Sequence, residues 1–308
     1  MRISLLCLVL ALAVAGLLGL NACTKKDDSP QNIVDLVADD SRFTVLNAAI
    51  AKAGLAPALS QGTLTVFAPT DAAFKAVGID AAVLNSATSA DLTKILQNHV
   101  LAMRTSSASI PAAENTEVTT LGGGKLYVSK KSGAVSVNGA RVTQADLEVA
   151  NGVIHVIDKV LLPPVGAITQ VAASLPDLSM LVVAVNRIAQ KYPTVANGLS
   201  GPGPLTVFAP TNKAFADAGY STVAAINGLP EDQLVTLLTY HILPVRGFSP
   251  LLTSGDMVTF QGSKLTVGVS GGTVTARGVR NPTPATVTQP DLVATNAVIH
   301  VVDKVLLP

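Results

Sequence analysis

An α+β fold built twice in one chain follows from three features of this 308-residue sequence. Two long blocks recur in fixed order, helical spacing opens each copy, and short glycine-punctuated β-type runs close it. Thr65-Val66-Phe67-Ala68-Pro69-Thr70 returns as Thr206-Val207-Phe208-Ala209-Pro210-Thr211, and Phe74 returns as Phe215. Residues 151–163 return as 296–308, with only Gly152 and Ile157 exchanged, for Ala297 and Val302. The offset between copies grows along the chain, which places small insertions near 197–204 and 281–286. Their Gly, Pro and Thr content reads as surface loops. Pro163-Pro164-Val165-Gly166 is the junction, and its stiffness restricts how the two units sit relative to each other. The predicted domains are 32–163 and 164–308.

Within the first copy, Ile33, Leu36 and Val37, then Phe43, Leu46 and Ile50, lie at helical spacing. Ile168, Val171 and Ala172, then Leu178, Leu181 and Val185, repeat the pattern. Residues 64–67 form a short β-type run that Pro69 ends. Thr70 is placed to cap a helix beginning near Asp71, since its hydroxyl can accept an orphan backbone N–H, and Thr211 takes the same part in the second copy. A helix over about 90–99 follows, with Leu92, Ile95, Leu96 and His99 on one face. Strands are predicted over 117–121, 125–129, 134–137 and 153–160, arranged as antiparallel hairpins. There is no tryptophan and there are few aromatics, so the cores must be aliphatic.

The chain starts with Arg2 and an almost wholly apolar run over 3–20, which reads as a secretory leader of residues 1–22. By length the run also suffices to cross a bilayer, which takes about 18 apolar residues. Its end, Leu20-Asn21-Ala22-Cys23, resembles a bacterial lipoprotein signal, cut before a cysteine that then carries acyl chains. Each buried CH₂ contributes roughly 0.8 kcal/mol, so several chains hold a protein firmly on a membrane. The expectation is a cell-envelope protein anchored through Cys23 at the outer membrane, with 23–31 as a polar tether. Lys25-Lys26-Asp27-Asp28 fits a solvated tether and also resembles the surface-export signal of some bacterial lipoproteins. Without residues 1–22, Cys23 is the only cysteine, which excludes an internal disulfide although the compartment permits one. Acidic and basic residues then balance, which argues against nucleic acid as a partner.

The T-V-F-A-P-T-(D/N)-x-A-F block, the histidine pair Asn98-His99 and Tyr240-His241, and the closing N-(G/A)-V-I-H-V-(I/V)-D-K-V-L-L-P block resemble the signature segments of fasciclin domains. The resemblance spans nearly the whole chain after the leader, twice. It implies a β-sandwich or wedge with helices packed along it in each unit, and a role in adhesion or extracellular binding. It marks Thr70, Thr211, His155, His300, Asp158 and Asp303 as motif residues. It also points to Tyr240 and His241 as candidate binding residues, because some animal members use a Tyr-His pair in receptor contact. Asn98 and His99, the matching candidates in the first copy, depart from that pair, so the second domain is the better binder if the pair serves binding; the other reading is that the pair locks a helix to its strand.

All four histidines, His99, His155, His241 and His300, lie in the repeated blocks, and none has a second ligand at metal-site spacing. Each sits among apolar residues and reads as a buried histidine bonded to backbone. No metal or cofactor is expected. Gly268-Val269-Ser270-Gly271-Gly272 matches a hydrolase G-x-S-x-G string, but it falls in a glycine-rich turn where a nucleophile elbow needs a strand running into a helix. Gly122-Gly123-Gly124-Lys125 lacks the spacing of a phosphate loop. The sequence therefore predicts a non-enzymatic lipoprotein that binds an extracellular protein or glycan through tandem fasciclin-like domains. The alternative is an accessory subunit of an outer-membrane uptake or assembly complex.

Overall fold

The computed structural model describes residues 31–192, 201 and 203–308, so the leader, Cys23 and most of the tether lie outside the described residues, as does most of the predicted loop at 197–204. Each repeat forms a seven-stranded sheet. In the first the order is β2 (Val100–Leu101), β1 (Leu64–Pro69), β7 (Gly152–Ile157), β6 (Ala140–Val149), β5 (Ala134–Val137), β4 (Lys125–Lys131) and β3 (Thr116–Thr119). The second repeats it as β9 (Ile242–Leu243), β8 (Leu205–Pro210), β14 (Ala297–Val302), β13 (Ala285–Val293), β12 (Thr273–Gly278), β11 (Lys264–Ser270) and β10 (Gly255–Val258).

The two signature blocks are neighbours in the middle of each sheet. β1 runs parallel to β7, from Leu64 opposite Gly152 to Pro69 opposite Ile157, and β8 runs parallel to β14 in the same way. The strands from β3 to β7 pair antiparallel, as the hairpin reading expects, while the helices and hairpins between β1 and β7 permit a parallel return, a pairing for which the sequence carried no expectation. Every residue of β1 and β7 is buried, as expected of a parallel pair covered on both faces. Leu64, Val66 and Ala68 pack with Ile33, Phe43, Leu46 and Leu96 of the helices. Phe67 points the other way, into a second core with Leu126, Val128, Val137 and Ile157.

That second core exists because the sheet curls. β6 has register shifts against β7 between Val142 and Gln144 and between Gln144 and Leu147, and Asp146 sits there at φ 58°. Such bulges bend a strand and tighten its twist, and here they carry β3, β4 and β5 over the face that holds Phe67. β6 was not predicted. Apolar and polar residues alternate over Ala140 to Thr143 and again over Ala145 to Val149, but the alternation slips at Gln144, where the bulge lies.

The two repeats meet along a seam. Tyr127 of the first packs with Phe248, Leu251 and Val298 of the second. Lys131 Nζ donates to the Leu251 carbonyl at 3.0 Å and Asn115 Nδ2 to the Arg246 carbonyl at 2.9 Å. Lys159 Nζ lies 2.6 Å from Asp291 Oδ2, a carboxylate whose side chain is only 2% exposed. The hairpin turn Asn138-Gly139, with φ 47° and 80°, brings Gly139 against that same carboxylate. A Cβ on Gly139 would stand 2.4 Å from Asp291 Cγ.

Gly133 has nearly the same backbone, φ 83°, but open space where a Cβ would stand, with no atom within 4 Å, which makes it an internal control. Gly133→Ala should cost about 1–2 kcal/mol, the ordinary penalty for a left-handed L residue. Gly139→Ala should cost about 1–3 kcal/mol more, because the Lys159–Asp291 pair must also shift. Urea unfolding of the whole chain measures both; equal losses would mean that the seam does not close on Gly139.

Candidate functional site

His99 and His241 occupy equivalent places at the ends of the helices Ser89–Gln97 and Glu231–Tyr240. His99 Nδ1 lies 2.7 Å from the Ile95 carbonyl, one turn back, while Nε2 accepts the Leu161 N–H at 2.8 Å. His241 makes the same pair of bonds, Nδ1 to the Leu237 carbonyl at 2.7 Å and Nε2 from the Leu306 N–H at 2.8 Å. Because a backbone N–H points at Nε2, the proton of each neutral ring must sit on Nδ1. Each ring thus ties a helix end to the closing segment of its domain.

His155 and His300 use the opposite tautomer. His155 Nε2 donates to the Thr105 carbonyl at 2.9 Å and Nδ1 accepts the Asp146 N–H at 3.3 Å. His300 Nε2 donates to the Gly247 carbonyl at 2.8 Å and Nδ1 accepts the Asp291 N–H at 3.3 Å. Their rings pack on Phe67 and Phe208 with centroids 5.6 Å apart in each case. The loop after β2 is held a second time by Thr65, whose hydroxyl donates to the Met103 carbonyl at 2.6 Å and accepts from the Thr105 N–H at 2.8 Å. Thr206 holds the loop after β9 through Val245 and Gly247.

Serine, aspartate and histidine come together here in both repeats, but not as a nucleophilic triad. Ser107 Oγ and Ser249 Oγ donate directly to the carboxylates of Asp146 and Asp291, whereas each histidine accepts from the aspartate's backbone N–H. A hydroxyl bonded to a carboxylate, with the imidazole turned elsewhere, is not activated for attack. Asp146 and Asp291 were missed as motif residues, although Asp146-Leu147 recurs as Asp291-Leu292 at the spacing of the closing block. Ser270 ends β11 opposite Thr273, beside the tight turn Gly271-Gly272, with no helix after it. Among the described residues no group of His, Cys, Asp and Glu is arranged to hold a metal ion.

A fasciclin domain family model matches residues 41–163 and 177–308. The chain belongs to the fasciclin domain family. It is 42% identical to protein sll1483 of Synechocystis sp. over 140 residues, covering 44% of this chain and 76% of that protein. It is 30% identical to human periostin and 31% identical to the pig transforming growth factor-beta-induced protein ig-h3, in each case over 80% of this chain. The chain spans only 29% and 35% of the length of those two proteins. Among solved structures it is similar to a FAS1 domain pair from the insect cell adhesion molecule Fasciclin I, at 21% identity and a TM-score of 0.42, covering 89% of this chain and 96% of that one.

In these two fasciclin domains the motif residues serve the interior. Thr70 Oγ1 accepts the Ala73 N–H at 3.3 Å and Thr211 Oγ1 the Ala214 N–H at 3.0 Å, capping the helices Asp71–Ala76 and Asn212–Asp217. Asp158 accepts from the Arg141 N–H at 2.7 Å and Asp303 from the Thr286 N–H at 2.6 Å, which staples the start of β6 or β13 to the strand beside it. The Tyr-His pair is likewise inside. Tyr240 is 0% exposed, and its hydroxyl donates to the Lys264 carbonyl at 2.5 Å and accepts from the Val279 N–H at 3.1 Å. Asn98 is buried too, and its Nδ2 donates to the Leu161 carbonyl at 2.8 Å. A partner touching the surface of this fold therefore meets neither Tyr240 and His241 nor Asn98 and His99.

Burial holds the His99 and His241 pKa values down to about 4, and burial lowers that of His300 as well. In the unfolded chain a histidine titrates near 6.5. Between those values the unfolded chain binds protons that the folded one refuses, so stability is complete above about pH 6.5 and falls as the pH drops towards 4. The slope is up to about 1.4 kcal/mol per pH unit for each such histidine. The double variant His99→Gln/His241→Gln should be less stable at pH 7 yet lose less between pH 6.5 and 4.5. Urea unfolding over this range checks it; an unchanged slope would assign the acid sensitivity to other groups.

Proposed function

We propose that this protein is a non-enzymatic lipoprotein of the cell envelope that binds an extracellular protein or glycan through its paired fasciclin domains. Fasciclin domains are associated with cell adhesion and extracellular binding. The observation that carries the reading is the use made of the polar groups in the repeated blocks: His99, His155, His241, His300, Ser107 and Ser249 are all committed to internal bonds. What remains for function is the surface of two complete domains joined at one seam. Joined domains can engage two copies of a ligand at fixed spacing, and a linked pair gains on the order of a hundredfold or more when geometry permits.

The anchor is the second part of the proposal. Among the described residues no helix is long and apolar enough to cross a membrane. Cys23, behind its apolar leader, would carry the acyl chains, at the outer membrane and with the Lys25-Lys26-Asp27-Asp28 tether favouring the outer face. Cys23→Ser should accumulate as an unprocessed precursor, and mass spectrometry of the wild-type N-terminus should find an acylated Cys23. An unmodified cysteine, or a retained leader, would remove the lipoprotein reading.

Beads coated with the lipid-free protein, residues 24–308, should adhere to cell or matrix surfaces better than uncoated beads or beads carrying the acid-unfolded protein. Adhesion no better than either control across those surfaces would sink the adhesive reading.

A further inference from the structure

The strands that curl over the inner core of each repeat also have an outer face, and the two repeats use it differently. In the first repeat it is covered, because Tyr127 of β4 packs with Phe248 and Leu251 of the second. In the second repeat β10, β11 and β12 stand in the same places and their outer face is open. Val258, Lys264 and Val279 lie side by side across it: Val258 pairs with Lys264, and the pair Leu265–Gly278 sets Lys264 beside Val279. All three are exposed, whereas Leu265, one residue on, turns into the core. Val258 is 60% exposed and Val279 70%. Phe260, 50% exposed, stands in the turn that joins β10 to β11.

This apolar row is peculiar to the second repeat. Thr119 stands where Val258 does, and β5 turns back at once through Asn138-Gly139, so the first repeat has no counterpart of Val279. The row is held from beneath by Tyr240, whose hydroxyl bonds the Lys264 carbonyl and the Val279 N–H. Its charged neighbours are mainly cations. Lys264 faces Asp256 at 3.5 Å. Arg277 spends Nε on the Asn281 carbonyl at 3.1 Å. Arg277 and Arg280 are both exposed, and neither has a carboxylate at ion-pair distance among the described residues. Lys264, between two valines, can lay its methylene stem along them and keep its ammonium in water.

Exposed apolar groups rimmed by charge mark a contact with a protein or a membrane. A stable protein partner takes about 800 Å² from each side, far more than three side chains supply. A bilayer asks for less, since a few apolar side chains can enter the headgroup layer while neighbouring cations meet lipid phosphates. We propose that the second repeat rests on an anionic phospholipid surface through this face, with Val258, Phe260 and Val279 in the headgroup layer and Arg277 and Arg280 on the phosphates. The proposal rests on the lipoprotein reading for the anchor that keeps the face near a bilayer, and it adds a second membrane contact to that anchor.

The chain has no tryptophan, so Phe260→Trp places a single reporter in the turn. The lipid-free variant is mixed with vesicles of phosphatidylethanolamine and phosphatidylglycerol. Its emission should shift to the blue and be quenched by lipids brominated on their acyl chains. Val223→Trp, at an exposed position on the helical side of the same repeat, should show neither change. Adding Val279→Asp to Phe260→Trp should weaken partitioning at least fivefold, and Arg277→Gln/Arg280→Gln should remove the preference for phosphatidylglycerol over phosphatidylcholine vesicles, with melting temperatures confirming that each variant folds. If a variant does not fold, co-sedimentation of the wild-type protein with the two kinds of vesicle decides alone. No quenching, equal quenching at Val223→Trp, or equal partitioning into both kinds of vesicle would each overturn the proposal. A concentration-dependent dimer that Val279→Asp dissolves, with no vesicle binding, would overturn it in favour of a second copy of the chain. An acylated Cys23 without quenching would overturn this face alone. Quenching with an unmodified Cys23 would remove the anchor and leave the face standing.

Discussion

The parallel ladder between the first and last signature blocks sets the terms for the rest of each domain. Leu64–Pro69 lies beside Gly152–Ile157, and Leu205–Pro210 beside Ala297–Val302. A parallel pair needs cover on both faces. The helices supply one layer and the curled-over strands β3 to β5 the other, so the ladder is where two cores meet. Each of its side chains is accordingly committed: Val66 and Ile154 to the helices, Phe67 and Ile157 to the inner face of the curl. The histidines in the closing block sit on that inner face, which is why they meet backbone and not solvent.

Burying imidazoles at such places is costly unless both ring nitrogens are satisfied. His99, His155, His241 and His300 each achieve this with one donated and one accepted backbone bond, in a fixed tautomer. The bonds join pieces of chain far apart in sequence, such as Leu161 to the helix end at His99. They hold the loops after β2 and β9, and the second of these loops carries Arg246 and Phe248 to the seam. The stability of the motif and the shape of the interdomain surface are linked in this way.

The repeats diverge where they face each other. Lys159 reaches Asp291 across the seam, whereas its counterpart Lys304 donates to Thr283 Oγ1 and the Pro284 carbonyl within its own domain. Asp291 meets that lysine as well as Ser249, while Asp146, its counterpart, bonds Ser107 with its carboxylate. Duplicated chains thus keep the interior bonds in common and differ in what they offer a neighbour. The stacking of Arg246 on Tyr127 belongs to the second category, since the two residues come from different repeats.

The sequence by itself determined the duplication, the order of elements, the capping threonines and the interior character of the histidines, because these depend on local spacing and on residue type. Thr70 and Thr211 cap helices through an atom three residues away, a distance that a linear reading carries. Only the tertiary structure decided the parallel pairing, the strand β6 with its bulge at Asp146, and the burial of Tyr240. None of these has an unbroken local signature: the alternation of β6 slips at Gln144, and Tyr240 is buried among Phe208, Leu243 and Leu265, with its hydroxyl bonded to Lys264 and Val279, most of which lie far from it in sequence. The seam is the extreme case. Lys159 and Asp291 are 132 residues apart, and nothing in their neighbouring residues distinguishes an ion pair from two solvated charges until the fold brings them together.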